Sequence, residues 1–225
     1  MRESIFARQK ALLGPEEQAR LRAATVFVAG IGGLGGFVAE GLTRFGIGGL
    51  VLVDPDRVSP SDLNRQILYT AKDVGAFKAQ VAKERLLAIR DDLWVEAWVQ
   101  PVSERTVIPS QTKVVVDALD NWESRFVLDE LARKAGKYLV HAGLSGFFGQ
   151  VTTISPDATS RLKDIFAGAR EEEIPSAVFS ICAVLAALQV QEVVNIICGR
   201  GPRLAGRLLV VDLEHYGFEM VPLVK

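Results

Sequence analysis

Apolar residues fall along this chain in two rhythms. Continuous runs rich in β-branched residues occupy 25–29, 50–54, 95–99, 113–117 and 138–142. Runs of this kind read as strands buried on both faces. Between them, apolar residues recur at helical spacing over 33–45, 75–90 and 123–135. Leu34, Phe37, Val38, Leu42 and Phe45 mark the first of these helices, with Gly46 as its C-terminal cap. Strand and helix in alternation predict an α/β fold with a Rossmann-like, doubly wound, mainly parallel sheet.

The two ends of the chain follow other patterns. Residues 1–23 form an N-terminal segment, predicted helical over 3–23 with a break near Gly14-Pro15. There Pro15 suits a first helical turn, and Glu16 and Glu17 suit its positive end. Past residue 146, a strand is predicted at 147–154 and a long helix at 176–198, closed by Gly199. A hairpin of 207–213 and 217–223, turning at His215-Tyr216-Gly217, gives the sheet an antiparallel C-terminal extension. Residues 155–175 are polar and irregular, a crossover connection of a length that points to function or mobility. The 225 residues suit a single domain spanning 1–225.

Charge and cysteine content narrow the class. Twenty-six basic and 27 acidic residues are mixed along the chain, for a net charge of −1, which leaves no electrostatic footprint for nucleic acid. The start, Met1-Arg2-Glu3-Ser4, has no signal-peptide core behind it. The longest apolar stretch, Ala177 to Leu188, is interrupted by Ser180 and is short for a membrane span. A cytoplasmic protein that does not engage the membrane is expected. Cys182 and Cys198 are expected to be reduced thiols, and two cysteines cannot build a four-cysteine structural zinc site.

The chemistry begins at Gly30-Ile31-Gly32-Gly33-Leu34-Gly35, between a predicted strand and a predicted helix. Glycines there permit a tight turn, close approach of backbone to phosphate and close packing of helix on sheet. Asp54, at the end of the second strand, is placed to accept ribose hydroxyls. This pattern means a nucleotide and leaves open whether it is a nicotinamide cofactor.

The residues beyond decide between reactions. Breaking an α–β phosphate bond builds negative charge on the leaving pyrophosphate and calls for cations. The chain offers Arg65 in Asn64-Arg65-Gln66, Lys78, and Arg8 near its start. Asp120, followed by Asn121 past the fourth strand, stands at the carboxyl edge of the sheet, where a carboxylate can hold Mg²⁺.

With these motifs together, the chain resembles the ThiF/MoeB/HesA family, bacterial relatives of ubiquitin-activating enzymes, from Arg8 to about residue 213. The matching pieces are the glycine loop, Val53-Asp54-Pro55-Asp56, Asn64-Arg65-Gln66, Lys78 and Asp117-x-x-Asp120-Asn121, with a weaker match at Gln189-x-x-Glu192. The resemblance implies ATP and Mg²⁺ as cofactors and adenylation of the C-terminal glycine carboxylate of a ubiquitin-like sulfur carrier ending in Gly-Gly. It implies that Gly30, Gly32, Gly33, Leu34 and Gly35 line the phosphates and that Asp54 holds the ribose. It places Asp56, Asn64, Arg65, Gln66, Lys78, Asp120 and Asn121 around ATP, with Mg²⁺ on Asp120, and sends Arg8 into the neighbouring subunit of a homodimer. Thiamine and molybdopterin biosynthesis are the routes such activation serves.

The chain also departs from the family. It lacks the paired Cys-x-x-Cys of zinc-binding relatives, so no zinc is expected. Residues 155–175 contain no cysteine to hold the carrier covalently, and an outside nucleophile such as a persulfide is expected to complete the reaction. Ile5 and Phe6 stand where the family carries an arginine and a tyrosine before Arg8, and Ser176 to Ser180 replace a Gly/Pro-rich stretch. Plainer roles stand beside the functional ones. Asp120 could cap the helix near Glu123, Arg65 and Lys78 could be solvated charges, and Cys182 reads as a buried structural thiol. His141 reads as a satisfied core-edge histidine, His215 as a turn residue, and Arg170 to Glu173 as a solvated loop face. Rival functions are an ATP-dependent tRNA-modifying dehydratase, a non-catalytic partner subunit and an NAD-dependent oxidoreductase.

Overall fold

A computed structural model describes residues 5–169 and 176–223. Five parallel strands form one half of the sheet: β1 (Thr25–Ala29), β2 (Gly49–Val53), β3 (Trp94–Trp98), β4 (Thr112–Asp117) and β5 (Tyr138–Ser145). Strands β6 (Phe148–Ile154), β7 (Arg207–Asp212) and β8 (Gly217–Pro222) add to it in antiparallel fashion. The order is β3-β2-β1-β4-β5-β6-β7-β8. The order in which strands are added reverses between the parallel neighbours β1 and β4, which opens a crevice at their carboxyl ends.

Both faces are covered, which explains the continuous apolar runs. Every residue of β1 and β2 is buried. Val26, Val28, Leu50 and Leu52 pack with α2 (Gly33–Phe45), α3 (Lys78–Ile89) and α6 (Phe179–Ile197). Phe27, Val51 and Val115 face the other way, toward α4 (Trp122–Lys134) and the short α5 (Leu162–Ile165). The helix α6, at 19 residues, is long and apolar enough to cross a membrane by those measures alone. Its place in the fold is the core: Ile181, Leu185 and Val193 are fully buried. The Gln189-x-x-Glu192 pair ties it there. Gln189 donates to the Asp117 and Val140 carbonyls at 2.8 and 3.1 Å. Glu192 accepts from the Thr153 hydroxyl and the Leu204 amide at 2.9 and 2.7 Å.

Three expectations are corrected. The N-terminal segment is not a broken pair of α-helices: a 3₁₀ turn at Ala7–Gln9 precedes α1 (Pro15–Ala23). Tertiary contacts override the local pattern, because Phe6 is buried and Gln9 donates to the Phe45 carbonyl at 2.9 Å. The helix expected from residue 75 starts at Lys78, since Gly75 has φ +89° and breaks the turn before it. The crossover is not wholly irregular. Leu162 is buried at the start of α5, where its amide donates to Asp129 at 3.0 Å. The charged run Arg170 to Glu173 lies outside the described residues.

Candidate active site

At the crevice lies a cavity of about 570 Å³, a size suited to a small ligand. Four helices begin around it. Gly33 and Leu34 of α2, Lys78 of α3, Ser124 and Arg125 of α4, and Ala177 and Cys182 at the start of α6 all line it. Helix starts leave amide groups unpaired and carry the positive end of the macrodipole, so the cavity favours an anion.

The glycine loop divides into two roles. Gly30 has φ +83°, and a Cβ there would stand 2.5 Å from the Ala118 carbonyl oxygen. Gly35 does not line the cavity; its own added Cβ would fall 1.8 Å from the Gly30 carbonyl oxygen. It is the glycine that lets the helix lie against the turn. Gly32 and Gly33 face inward, beside Gln66 and beside Cys182 and Arg65.

Asp54 is buried and serves the loop directly. Its Oδ2 accepts the Ile31 amide at 2.6 Å and its Oδ1 the Asp56 amide at 2.8 Å. Burial pushes its carboxyl above the usual carboxylate range, against the pull of those two amides. Each oxygen keeps a further lone pair for a ligand hydroxyl.

The cations come already paired. Lys78 is buried, with Nζ 3.2 Å from Asp56 and 3.6 Å from Asp62. Arg65 donates to the Ser61 carbonyl and to Asn64 Oδ1, both at 2.9 Å, and lies 3.8 Å from Asp62. Asp62 is the hub that sequence reasoning missed. Its carboxylate also accepts the Ser59 amide at 2.9 Å and the Gln66 carboxamide at 2.7 Å. That second bond orients Gln66, whose buried Oε1 has no partner among the described residues at the cavity wall. Tyr69, also missed, supports the loop from behind through its hydroxyl, which donates to the Ile31 carbonyl at 2.6 Å.

Of the residues named from sequence, Gly30, Gly32, Gly33, Leu34, Asp54, Asp56, Arg65, Gln66, Lys78, Asp120 and Asn121 come together on this cavity. Asn64 does not line it; it is exposed and braces Arg65. Arg8 is exposed and sits with the N-terminal segment, where its neighbours Phe6 and Gln9 meet the last turn of α2. That is a helix length, about 20 Å, from the glycine loop. The helix cap assigned to Asp120 belongs to Asn121, whose Oδ1 accepts the Ser124 amide at 2.9 Å. Asp120 is left exposed at the lip, with Oδ1 accepting from Asn121 at 3.2 Å.

Behind the lip, His141 and Asp117 form a fully buried pair at 2.6 Å, with Trp122 and Phe166 over the imidazole. Burial holds the histidine below its ordinary value, against the pull of Asp117. The expectation of a satisfied histidine holds for one nitrogen only: Nε2 is buried without a partner among the described residues. His215 pairs with Asp212 at 2.9 Å in the exposed turn before β8. Cys182 is buried as expected, yet its sulfur borders the cavity beside Gly33. Burial pushes that thiol up to about 11.

Comparison with known proteins gives the family of the chain. The model of the ThiF family matches residues 6–225. The sulfur carrier protein adenylyltransferase of Thermus thermophilus is 38% identical over 219 residues, covering 92% of this chain and 81% of that one. The SAMP-activating enzyme E1 of Haloferax volcanii is 36% identical over 218 residues, covering 93% and 80%. Among solved structures, E. coli MccB with ATP superimposes with a TM-score of 0.87 at 19% identity, over all of this chain and 72% of that one. That likeness is one of fold. The chain, with its glycine loop at the head of a Rossmann-like crevice, thus belongs to the ThiF family.

Proposed function

We propose that this protein is an adenylyltransferase that uses ATP to activate the C-terminal glycine carboxylate of a small ubiquitin-like sulfur carrier. The observation that carries the reading is the convergence of Arg65, Lys78 and Asp120 on the same cavity as the glycine loop. A hydride-transferring enzyme has no use for that cluster. Relatives named for sulfur-carrier adenylylation supply the substrate class. Thiamine or molybdopterin biosynthesis is the pathway proposed, and a relative from Porphyra purpurea is named as a probable molybdopterin-synthase adenylyltransferase.

In the reaction, a carboxylate oxygen attacks the α-phosphorus, a C(O)–O–P bond forms, and the α–β P–O bond breaks. The electron pair leaves with pyrophosphate. A carboxylate is ionised at neutral pH, so no general base is required. The glycine-loop amides hold the phosphates, and Asp54 takes the ribose with its remaining lone pairs. Arg65 and Lys78 meet charge on the leaving group. For Lys78 this means exchanging part of its contact with Asp56 and Asp62 for phosphate oxygens.

Magnesium fits the site in one way. No group of three or more His, Cys, Asp or Glu side chains able to hold a metal occurs among the described residues. Mg²⁺ commonly takes one or two carboxylates and completes its shell with phosphates and water. Asp120, exposed and half-bonded at the lip, is the carboxylate that would hold it. When bound, the ion supplies charge neutralisation between phosphates.

A homodimer is part of the proposal, with Arg8 reaching the cavity of a second copy. Its exposed position at the far end of α2, away from its own cavity, supports that reading. The acyl-adenylate is then consumed by an outside nucleophile such as a persulfide, since both cysteines of the chain are buried. Pyrophosphate exchange with candidate carriers ending in Gly-Gly tests the reading. Exchange that depends on the carrier and is lost in R65A and D120A is expected; no exchange with any such carrier refutes it.

A further inference from the structure

Arg125 lines the cavity and has no part in the site so far. It stands on the first turn of α4 and is buried. Its guanidinium is fixed on three sides. Nε and Nη2 both donate to the Leu119 carbonyl, at 3.2 and 2.7 Å. Nε lies 4.0 Å from the Asp117 carboxylate, and the group rests over the Trp122 ring, 4.8 Å from its centroid. Nη1 has no hydrogen-bond acceptor among the described residues.

The surroundings of Nη1 are shaped by Gly143 on β5. A Cβ at that position would stand 3.3 Å from Nη1 and 2.6 Å from the carboxamide nitrogen of Gln150. Gly143 does not have a positive φ, so its backbone makes no demand for glycine. What requires glycine is space: Arg125 and Gln150 both rest on the bare strand. Gln150 is the ladder partner of Gly143 on β6, and its side chain also has no hydrogen bond among the described residues. Two N–H donors from different elements are thus seated side by side next to Leu144, which lines the cavity.

Position in the sheet indicates what they bind. The phosphate loop and Asp54 lie on β1 and β2, whereas Gly143 and Gln150 lie on β5 and β6, beyond β4. Neighbouring strands are about 4.8 Å apart, so Gly143 stands roughly 10 Å across the sheet from the glycine loop. A nucleotide held by that loop and Asp54 occupies the β1–β2 side. The β5–β6 side is left for an anion brought by the second substrate. A guanidinium edge with an adjacent amide is a natural carboxylate clamp.

We infer that Arg125, seated with Gln150 on Gly143, binds the terminal carboxylate of the acyl substrate and presents it to the α-phosphorus. This rests on the adenylyltransferase reading and names the residues that take its second substrate. The test is pyrophosphate exchange by R125K, Q150L and G143A, with ATP affinity measured separately by calorimetry. Each variant is expected to raise the carrier's KM at least tenfold and to leave the ATP Kd within about twofold. An unchanged carrier KM in all three overturns the inference, as does a weakened ATP Kd with the carrier KM intact. G143A keeps the arginine in the sequence but crowds Gln150 and Nη1 off the strand, and serves if R125K does not fold. If the wild-type protein exchanges with no carrier, the adenylylation reading falls on its own. Calorimetry with a Gly-Gly-ended peptide, as free acid and as C-terminal amide, then decides the clamp. Preference for the acid, lost in G143A, supports it; equal binding of the two refutes it.

Discussion

Adjacent glycines in the first turns of α2 should respond to alanine with opposite signs. At Gly35 an added Cβ falls 1.8 Å from the Gly30 carbonyl oxygen and 2.8 Å from its carbon, and contacts under 3.0 Å are essentially never seen. More than an ångström of separation has to be found, and the obstacle is backbone. The Gly30 amide is itself tied to the Val53 carbonyl at 2.8 Å, so the turn cannot yield without loosening β1 from β2. Overpacking of this kind costs about 1–3 kcal/mol, and a rigid obstacle puts Gly35→Ala at the upper end. In a chain of this size that is a fall in Tm of roughly 6–12 °C. At Gly36 the nearest atoms are those of the Leu68 side chain, at 3.6 and 3.7 Å, an ordinary contact. Gly36 lies in helix, where alanine is favoured over glycine by about 0.5–1 kcal/mol, so Gly36→Ala should leave Tm equal or higher. Thermal melts and ATP titration of the two variants make the comparison. Gly35→Ala should lose at least tenfold in ATP affinity, and Gly36→Ala should keep it. Equal damage from both, or ATP binding retained in Gly35→Ala, would refute the division of the loop into a packing glycine and phosphate-facing glycines.

Other substitutions separate chemistry from stability. Asp120→Ala should abolish pyrophosphate exchange with no change in Tm, whereas Asn121→Ala should cost about 1 kcal/mol through loss of the α4 cap. Lys78→Ala leaves Asp62 buried without its lysine and should destabilise by about 3–5 kcal/mol in urea melts. Arg65→Ala should lose exchange with a much smaller effect on the melt, because its contact with Asp62 is longer and more exposed. Alkaline stability should report on Cys182, whose thiol burial holds near 11 against an ordinary value of 9.0. The folded protein keeps this proton after the unfolded chain has released it, so stability falls as pH rises from about 9 toward 11. Cys182→Ala should flatten that slope in melts taken across the range, and an unchanged slope would show that the thiol is not coupled to folding.

What was legible in the chain was what depends on near neighbours in sequence. The buried strands announced themselves because both faces are covered, and the glycine loop because Gly30 needs a positive φ and Gly35 needs no side chain. What was hidden depends on which strands become neighbours. Gln150 and Arg125 meet only because β5 pairs with β6 in a register that sets Gly143 opposite Gln150. Asp117 meets His141 only through the pairing of β4 with β5. Asp62 was hidden for another reason. Within the Asp62-Leu63-Asn64-Arg65-Gln66 stretch it reads as one more polar residue, until the 3₁₀ turn Pro60–Asp62 folds it inward onto Lys78.

That concealed carboxylate alters the electrostatic argument. Counting cations in the sequence suggests a strongly positive site, but Asp56 and Asp62 stand within 4 Å of Lys78, and Asp62 also faces Arg65. The donors left open to an anion in the resting cavity are therefore the amides of the converging helix starts and the free edge of Arg125. This suits an enzyme of this reaction class. Cations left unpaired would attract phosphate anions of every kind. Cations held by two carboxylates release their charge only to a ligand that also satisfies the glycine-loop amides and Asp54, which is to say a nucleotide. Selectivity for ATP over inorganic phosphate or pyrophosphate should then depend on Asp62. Asp62→Asn, although it weakens the fold, should raise the affinity for pyrophosphate relative to ATP, measured by competition at one temperature below both melts. An unchanged ratio would mean that the carboxylates position the cations and do not moderate them.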